Sequence, residues 1–199
     1  MARICVFCAS SEAIATRYVE LGADVGAAIA ARGHSLVSGG GSISAMGALA
    51  RAARAGGAHT TGVIPRALVD WEVADHDADE LVVTADMRAR KGEMDARSDA
   101  FLVLPGGIGT LEELLEIWVA RVLRMHERPV VVLDPDDLYD PLREQIRVLV
   151  ERGFMRPASA ELLRWAGTVD GALDLLEDEL RSATPTVPPD EAELLEAEP

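Results

Sequence analysis

The sequence predicts an α/β fold in which a doubly wound, mostly parallel sheet carries helices on both faces. Short apolar runs alternate with longer stretches of helical periodicity along most of the chain. The runs are rich in valine, leucine and isoleucine without a polar alternation, which is typical of strands buried on both faces. Glycine-rich loops follow several of the runs, where parallel strands lead into crossover helices.

Seven apolar runs are predicted strands. The first is continuous and lies at the very start of the chain, so we expect it at the centre of the sheet. Pro65 and Pro105 end the third and the fifth runs, because proline has no N–H group for a sheet ladder. The predicted strands are 3–7, 34–37, 60–64, 81–84, 100–104, 129–133 and 162–166.

Six periodic stretches are predicted helices. Ser10 or Ser11 can cap the first helix, and Asp170 can cap the last. Gly33 is expected to end the first helix, because glycine accepts the left-handed conformation common at helix C-termini. The predicted helices are 13–32, 44–54, 86–97, 110–122, 141–151 and 170–181. The polar stretch 66–80 is expected to be irregular.

Length and charge limit the possible functions. The chain of 199 residues carries a net charge of −15, which argues against nucleic-acid binding. Residues 1–182 are expected to form one nucleotide-binding domain, and 183–199 an acidic, proline-rich and disordered tail. No apolar run is long enough for a membrane span, and no signal-peptide pattern opens the sequence, so a cytoplasmic location is expected.

Cys5 and Cys8 form a C-x-x-C pair within the first predicted strand. A redox pair of this spacing lies at a helix start, whereas strand residues three apart face opposite sides of a sheet. We therefore expect two buried thiols.

Residues 105–110 read Pro-Gly-Gly-Ile-Gly-Thr and connect the fifth strand to the next helix. The glycines at 106, 107 and 109 are expected to take positive φ and to approach a ligand closely. The helix start adds free N–H groups, so the segment predicts an anion cradle of the kind used for phosphate. The spacing fits neither the P-loop nor the dinucleotide fingerprint. A capping box, with Thr110 as N-cap and Glu113 bonded back to the backbone, is the alternative.

Three candidate loops follow the first, second and fifth strands, at 9–11, 38–42 and 105–110. In a doubly wound, Rossmann-like sheet, ligands bind beyond the carboxyl ends of the strands, where these loops converge. The convergence favours a nucleotide or phosphate site.

Two paired motifs then give a family resemblance. Residues 105–113 fit P-G-G-x-G-T-x-x-E, and residues 87–91 fit the preceding M-x-x-R-K stretch. Residues 5–11, together with Gly39 to Gly41 and Met46-Gly47, fit the N-terminal half. Over about residues 4–166 the chain resembles the LONELY GUY family, often labelled lysine decarboxylase. The family usually has glycine at positions 9 and 44 and leucine at 45, where this chain has Ala9, Ser44 and Ala45.

The resemblance implies hydrolysis of the N-glycosidic bond of cytokinin riboside 5′-monophosphates, which are N6-modified AMP, to free base and ribose 5-phosphate. It implies that Glu113 is the catalytic carboxylate near the sugar cation and that Arg90 is its catalytic partner. No His, Cys and carboxylate residues have metal-ligand spacing, so no metal is expected, and no cofactor is expected either. The implied substrate-binding residues are Ser10, Gly40, Gly41, Glu72, Lys91, Gly106, Gly107, Ile108, Gly109, Thr110, Leu111 and Glu112.

Other readings of the same motifs stay open. A general AMP/GMP nucleosidase would differ only in its base pocket, and a nucleotide or cofactor carrier would share the fold without catalysis. The presence of both Arg90 and Glu113 favours an enzyme. Lys91, the only lysine, belongs to the motif and not to a Schiff-base site.

A homodimer is expected, because the family forms dimers through helices around the motif and the helix after Thr110 is apolar on more than one face.

Overall fold

The computed structural model describes residues 1–69, 71 and 74–182. Within these residues seven strands form one parallel sheet in the order β4-β3-β2-β1-β5-β6-β7. The predicted strands are confirmed, each within one residue at either end. They are β1 (Arg3–Phe7), β2 (Ser35–Ser38), β3 (Thr60–Pro65), β4 (Glu80–Thr84), β5 (Ala100–Val103), β6 (Val130–Leu133) and β7 (Leu163–Ala166).

Helices cover both faces of the sheet, which confirms the doubly wound prediction. They are α1 (Thr16–Ala31), α2 (Ser44–Ala55), α3 (Met87–Ala96), α4 (Ile108–Val122), α5 (Asp140–Glu151), α6 (Pro157–Glu161) and α7 (Val169–Ser182). Helices α1, α2 and α7 pack on one face, and α3, α4 and α5 on the other. Helix α6 was not predicted, because five residues are too few to show helical periodicity. The short 3₁₀ turn Arg66–Leu68 was not predicted either.

Two predicted helix caps are wrong. Helix α1 begins after Ala15, and no side chain caps it. The Ser11 hydroxyl instead accepts an N–H group in the turn before the helix, so neither Ser10 nor Ser11 is the cap. Asp170 lies inside the first turn of α7, where the Thr168 hydroxyl accepts an N–H group.

The predicted end of α1 is confirmed. Gly33 has φ +72°, and its N–H group donates to the carbonyl of Ala30. The His34 N–H group donates to the carbonyl of Ile29. These two bonds satisfy carbonyls that the last turn leaves free, as in a Schellman motif.

Helices α1 and α2 touch backbone to backbone. A Cβ atom at Gly22 would lie 2.6 Å from the carbonyl oxygen of Ala45, and one at Gly26 would lie 2.2 Å from that of Leu49. Only glycine permits this approach, and it fixes the spacing of the two helices.

The two cysteines lie in the cores on opposite faces of the sheet, as predicted. Both thiols are buried and free. Burial, with a smaller contribution from the charge of Glu113, holds the pKa of Cys5 far above its usual range and raises the pKa of Cys8 to about 12. Neither thiol is therefore ionised at neutral pH.

Strand order reverses at β1, whose neighbours are β2 on one side and β5 on the other. The chain therefore leaves β1 and β5 toward opposite faces, which opens a crevice at the carboxyl edge of the sheet. The candidate loops all lie at this edge. In the part of the chain that the structure describes, no helix is long and apolar enough to cross a membrane.

Candidate active site

Helix α4 begins two residues earlier than predicted. Its N-cap residue is Gly107, which carries no capping side chain, and Thr110 lies inside the first turn. The capping box with Thr110 as N-cap is therefore wrong. The first helical bond runs from the Leu111 N–H group to the Gly107 carbonyl, so the N–H groups of Ile108 and Gly109 lie in the unpaired first turn. We call residues 107–110 the helix-start cradle.

The glycines of this segment do not take positive φ, contrary to the prediction; Gly107 has φ −89°. Their positions differ in what surrounds them. A Cβ atom at Gly106 would lie 2.2 Å from the Thr110 hydroxyl, which is buried beneath it. Among the described residues, a Cβ atom at Gly107 or Gly109 would meet no atom beyond its chain neighbours and its own helix within 4 Å. The fold thus requires glycine at 106, whereas 107 and 109 border open space.

Arg90 lies at the centre of the site and is only 4% exposed. Its Nε donates to the carbonyl of Val63 at 3.0 Å, and its Nη2 donates to that of Gly39 at 3.1 Å. Its Nη1 lies 3.6 Å from Oε1 of Glu113. The guanidinium therefore joins β3, the loop after β2 and α4, and all three of its nitrogen atoms face protein groups.

Gly39 is a functional residue that the prediction missed. A Cβ atom there would lie 1.9 Å from Arg90 Nη2, so the guanidinium occupies the space of the missing side chain. The run of three glycines at 39–41 was the available signal, but nothing local connected it to Arg90.

The loop after β2 is held in place by a partly buried ion pair that was also not predicted. Gly40 has φ +76°, and its carbonyl accepts the N–H group of Asp75 at 2.8 Å. Two nitrogen atoms of Arg54 bond the carboxylate of Asp75 at 2.7 and 3.1 Å. Gly41 pairs with Ala74 in an isolated bridge. These contacts fix Gly40 and Gly41 beside the crevice.

Ser44 connects this loop to the one after β1. Its φ of +53° lies in the left-handed region that favours glycine. Its hydroxyl donates to the Ser11 carbonyl at 2.6 Å, next to Ser10, which is half-buried in the same loop. The hydrogen bond offsets the strain of a side chain at this φ.

Four further predicted binding residues lie around the start of α4, and one cannot be placed. The Lys91 ammonium pairs with the carboxylates of Glu112 and Glu116, which in that order raise its pKa. Ile108 is exposed, and Leu111 is half-buried against the core. Glu72 lies outside the described residues, as does the predicted tail 183–199.

A cavity of about 210 Å³ lies between α3 and α4 and has Glu113 among its lining residues. Phe7 and Phe101 of the sheet line it, and so do Met125 and His126 after α4. In residues 1–69, 71 and 74–182, no group of three or more His, Cys, Asp or Glu side chains could hold a metal ion.

The arrangement brings an anion cradle and a carboxylate together on one side of α4. Glu113 follows Gly109 by four residues, so it lies on the same face about 6 Å further along the helix. A molecule whose anionic group bound at the cradle could extend along this face of the helix to the carboxylate. Glu113 is 11% exposed and fixed by a guanidinium, so it can stabilise positive charge that develops there.

Comparisons with known proteins identify the family. A family model described as a possible lysine decarboxylase matches residues 46–176. Cytokinin riboside 5′-monophosphate phosphoribohydrolase from Mycobacterium tuberculosis is 49% identical over 92% of this chain and 94% of that protein. The protein of the same name, LOG3, from Arabidopsis thaliana is 42% identical over 88% of this chain and 82% of that protein.

Solved structures show the same fold at lower identity. The Moco carrier protein from Chlamydomonas reinhardtii superposes with a TM-score of 0.68 and 23% identity, over 91% of this chain and 98% of that chain. The molybdenum cofactor binding protein from Rippkaea orientalis gives a TM-score of 0.66 and 24% identity, over 88% and 95% of the two chains. These two likenesses concern the fold alone.

Proposed function

The chain belongs to the LONELY GUY family of cytokinin riboside 5′-monophosphate phosphoribohydrolases, and from this premise we propose that it hydrolyses the N-glycosidic bond of N6-modified AMP. The observation that carries the proposal is the buried Arg90–Glu113 pair one turn below the uncapped start of α4. The products are the free base and ribose 5-phosphate.

The reaction replaces the bond between the sugar carbon and the base nitrogen with a bond to water oxygen. As the base leaves with the bonding electrons, positive charge develops on the sugar ring. The Glu113 carboxylate lies beside that carbon, stabilises the charge and orients the water. The water supplies a proton to the base and its hydroxyl group to the sugar, so atoms and charge balance.

We assign Arg90 a role that acts through Glu113. Its Nε and Nη2 donate to backbone carbonyls, and its Nη1 faces the carboxylate. The cation is thus fixed where it keeps Glu113 oriented in a nearly dry site. Direct contact between Arg90 and the leaving base is not needed in this proposal.

The 5′-phosphate is proposed to bind at the helix-start cradle. Uncapped N–H groups at a helix N-terminus are donors for an anion, and the helix dipole has its positive end there. The open space beside Gly107 and Gly109 lets the phosphate approach the backbone. Ser10, Gly40 and Gly41 border the same crevice from the other loops. Such a local site lets a chain of net charge −15 bind a nucleotide.

We also propose a homodimer formed through α4. Ile108, Leu115 and Val119 are exposed and lie seven and four residues apart, so they share one face of the helix. Met87 and Met125 are exposed large apolar side chains on the same side of the sheet. A stripe of this kind, rimmed by polar residues, is typical of a protein interface. A cytoplasmic location and a lack of nucleic-acid binding also remain predictions.

The test is base release by the purified protein from AMP, GMP, isopentenyl-AMP and the unphosphorylated isopentenyladenosine. We expect isopentenyl-AMP to give the highest kcat/KM and isopentenyladenosine to give almost none, because the cradle needs a phosphate. Equal rates on AMP, GMP and isopentenyl-AMP would indicate the general nucleosidase. Tight binding of all four without base release would indicate a carrier and contradict the proposal.

A further inference from the structure

Tyr139 lies beneath the loop that leads into the helix-start cradle. Its side chain is buried, and its hydroxyl donates to the carbonyl of Leu104 at 3.0 Å. Leu104 directly precedes Pro105 and Gly106, and its own N–H group donates to the carbonyl of Phe7 at 2.9 Å. The phenol therefore fixes the last backbone carbonyl before the loop turns toward α4.

The Tyr139 hydroxyl, which follows β6 in the chain, meets the Leu104-Pro105-Gly106 segment that follows β5. Burial raises the pKa of Tyr139 to about 12, against the opposite effect of the nearby Gly106 N–H group. The hydroxyl thus keeps the proton that it donates. The phenol thus holds the start of the Leu104-Pro105-Gly106 segment through the Leu104 carbonyl, and its oxygen lies near the Gly106 N–H group.

Asp134 holds Tyr139 in place from the end of β6. Its carboxylate is buried and accepts the N–H groups of Leu138 and Tyr139 at 2.9 and 3.0 Å. A carboxylate that accepts two backbone N–H groups makes a rigid turn. The turn also contains Asp137, whose φ of +58° is in the left-handed region. Because the backbone N–H group of Tyr139 is bonded within this turn, the turn also holds the Tyr139 side chain in place.

We propose that Tyr139 is a positioning residue for phosphate binding, which acts by fixing the loop whose end forms the cradle. The inference rests on the proposed function, since it assumes that the 5′-phosphate binds there. Tyr139 does not contact the substrate. It lies below the loop, with its hydroxyl engaged by the backbone, and it determines where the first-turn N–H groups of α4 point. A residue that follows β6 thus contributes to a site whose other residues all precede β6 in the chain.

The experiment compares Tyr139→Phe with Tyr18→Phe. Tyr18 is the only other tyrosine, and its hydroxyl accepts a hydrogen bond from the side chain of Arg17, its neighbour in the first turn of α1. Calorimetry measures binding of ribose 5-phosphate and of free adenine to each variant and to the wild type. Initial rates of base release from AMP give kcat and KM separately, and thermal unfolding reports the fold.

Tyr139→Phe leaves a buried carbonyl without its donor and frees the loop to move. We expect the Kd of ribose 5-phosphate and the KM for AMP to rise roughly tenfold, while kcat changes less than about threefold and adenine binding is unchanged. Tyr18→Phe should match the wild type throughout. An unchanged Kd for ribose 5-phosphate would overturn the inference, and so would an equal loss of ribose 5-phosphate and adenine binding. Absence of base release in the wild type, with ribose 5-phosphate still bound, would count against the proposed function alone.

Discussion

The substitution Gly109→Ala distinguishes an effect on folding stability from an effect on phosphate binding. Gly109 is the second residue of α4, and a Cβ atom there would meet no atom outside its own helix within 4 Å in the part of the chain that the structure describes. Alanine is favoured over glycine within helices by up to about 1 kcal/mol, so the variant should be slightly more stable than the wild type. For a chain of this length that corresponds to a rise of about 2–4 °C in the midpoint of thermal unfolding.

The same methyl group would stand where the phosphate is proposed to bind. Displacing the phosphate from one charge-assisted N–H bond costs about 1.5–3 kcal/mol, which corresponds to a rise of roughly 10- to 100-fold in the KM for AMP. The expected result is thus a protein that unfolds at a higher temperature and binds its substrate more weakly. Differential scanning fluorimetry and initial rates of base release measure the two effects on one preparation.

Gly92→Ala is the matched control. Gly92 lies within α3, and among the described residues a Cβ atom there would likewise meet no atom outside its own helix within 4 Å. Gly92 lines the cavity beside Glu113 but lies outside the helix-start cradle, so its substitution should give the same gain in stability without weakening the binding of ribose 5-phosphate. If Gly109→Ala kept the wild-type KM, the start of α4 would not be the phosphate site, and the proposed placement of the sugar beside Glu113 would lose its basis.

Four further predictions concern the ion pair, the exposed stripe and the one strongly shifted histidine. Glu113→Gln removes the charge beside the sugar cation, so base release should fall at least ~100-fold while ribose 5-phosphate binding survives; near-equal rates at matched folded fraction would assign Glu113 a structural role. Arg90→Ala removes the buried cation from Glu113 and from two backbone carbonyls, so turnover and the unfolding midpoint should both fall. In the double variant with Glu113→Gln, the two losses of turnover should not add. Val119→Glu should convert a dimer to a monomer in light scattering at micromolar protein, and a monomeric wild type would contradict the dimer. Burial, assisted by the charge of Arg128, lowers the pKa of His126 to about 4 from 6.5. Because folding depresses this pKa, the stability that the neutral ring contributes is complete above about pH 6.5 and is lost as pH falls through about 4. The free energy of unfolding, measured with urea, should therefore decline in that window. The decline should be less steep in His126→Gln.

The strands and the end of α1 could be predicted because their signals are local. A run such as Val130–Leu133 has the composition of a buried parallel strand, and Gly33 accepts a conformation that other residues resist. The start of α4 could not be placed in this way. Thr110 and Glu113 have capping-box spacing, but Thr110 packs beneath Gly106, and this contact places it inside the helix.

The partners of Arg90 could not be predicted for a different reason. Its two carbonyl acceptors lie 27 and 51 positions away in the sequence, in β3 and in the loop after β2. Motif matching indicated that Arg90 and Glu113 belong together, but it carried no information on which donors of the arginine face protein. The hydrogen bond from Tyr139 to Leu104 could not be predicted either, because the two residues lie 35 positions apart in the sequence.

The contact between α1 and α2 bears on how this protein could acquire new substrates. Each helix follows a loop that borders the crevice, and at Gly22 and Gly26 no side chain lies between the two backbones. A contact between two backbones cannot adjust to a small displacement of either helix, because there is no side chain between them that could change its rotamer. A larger base therefore cannot be accommodated by small, successive movements of one helix away from the other. Laboratory evolution toward bulkier nucleotides should instead collect its substitutions in the loops, and positions 9 and 44, beside the loops after β1 and β2, are the first places to look.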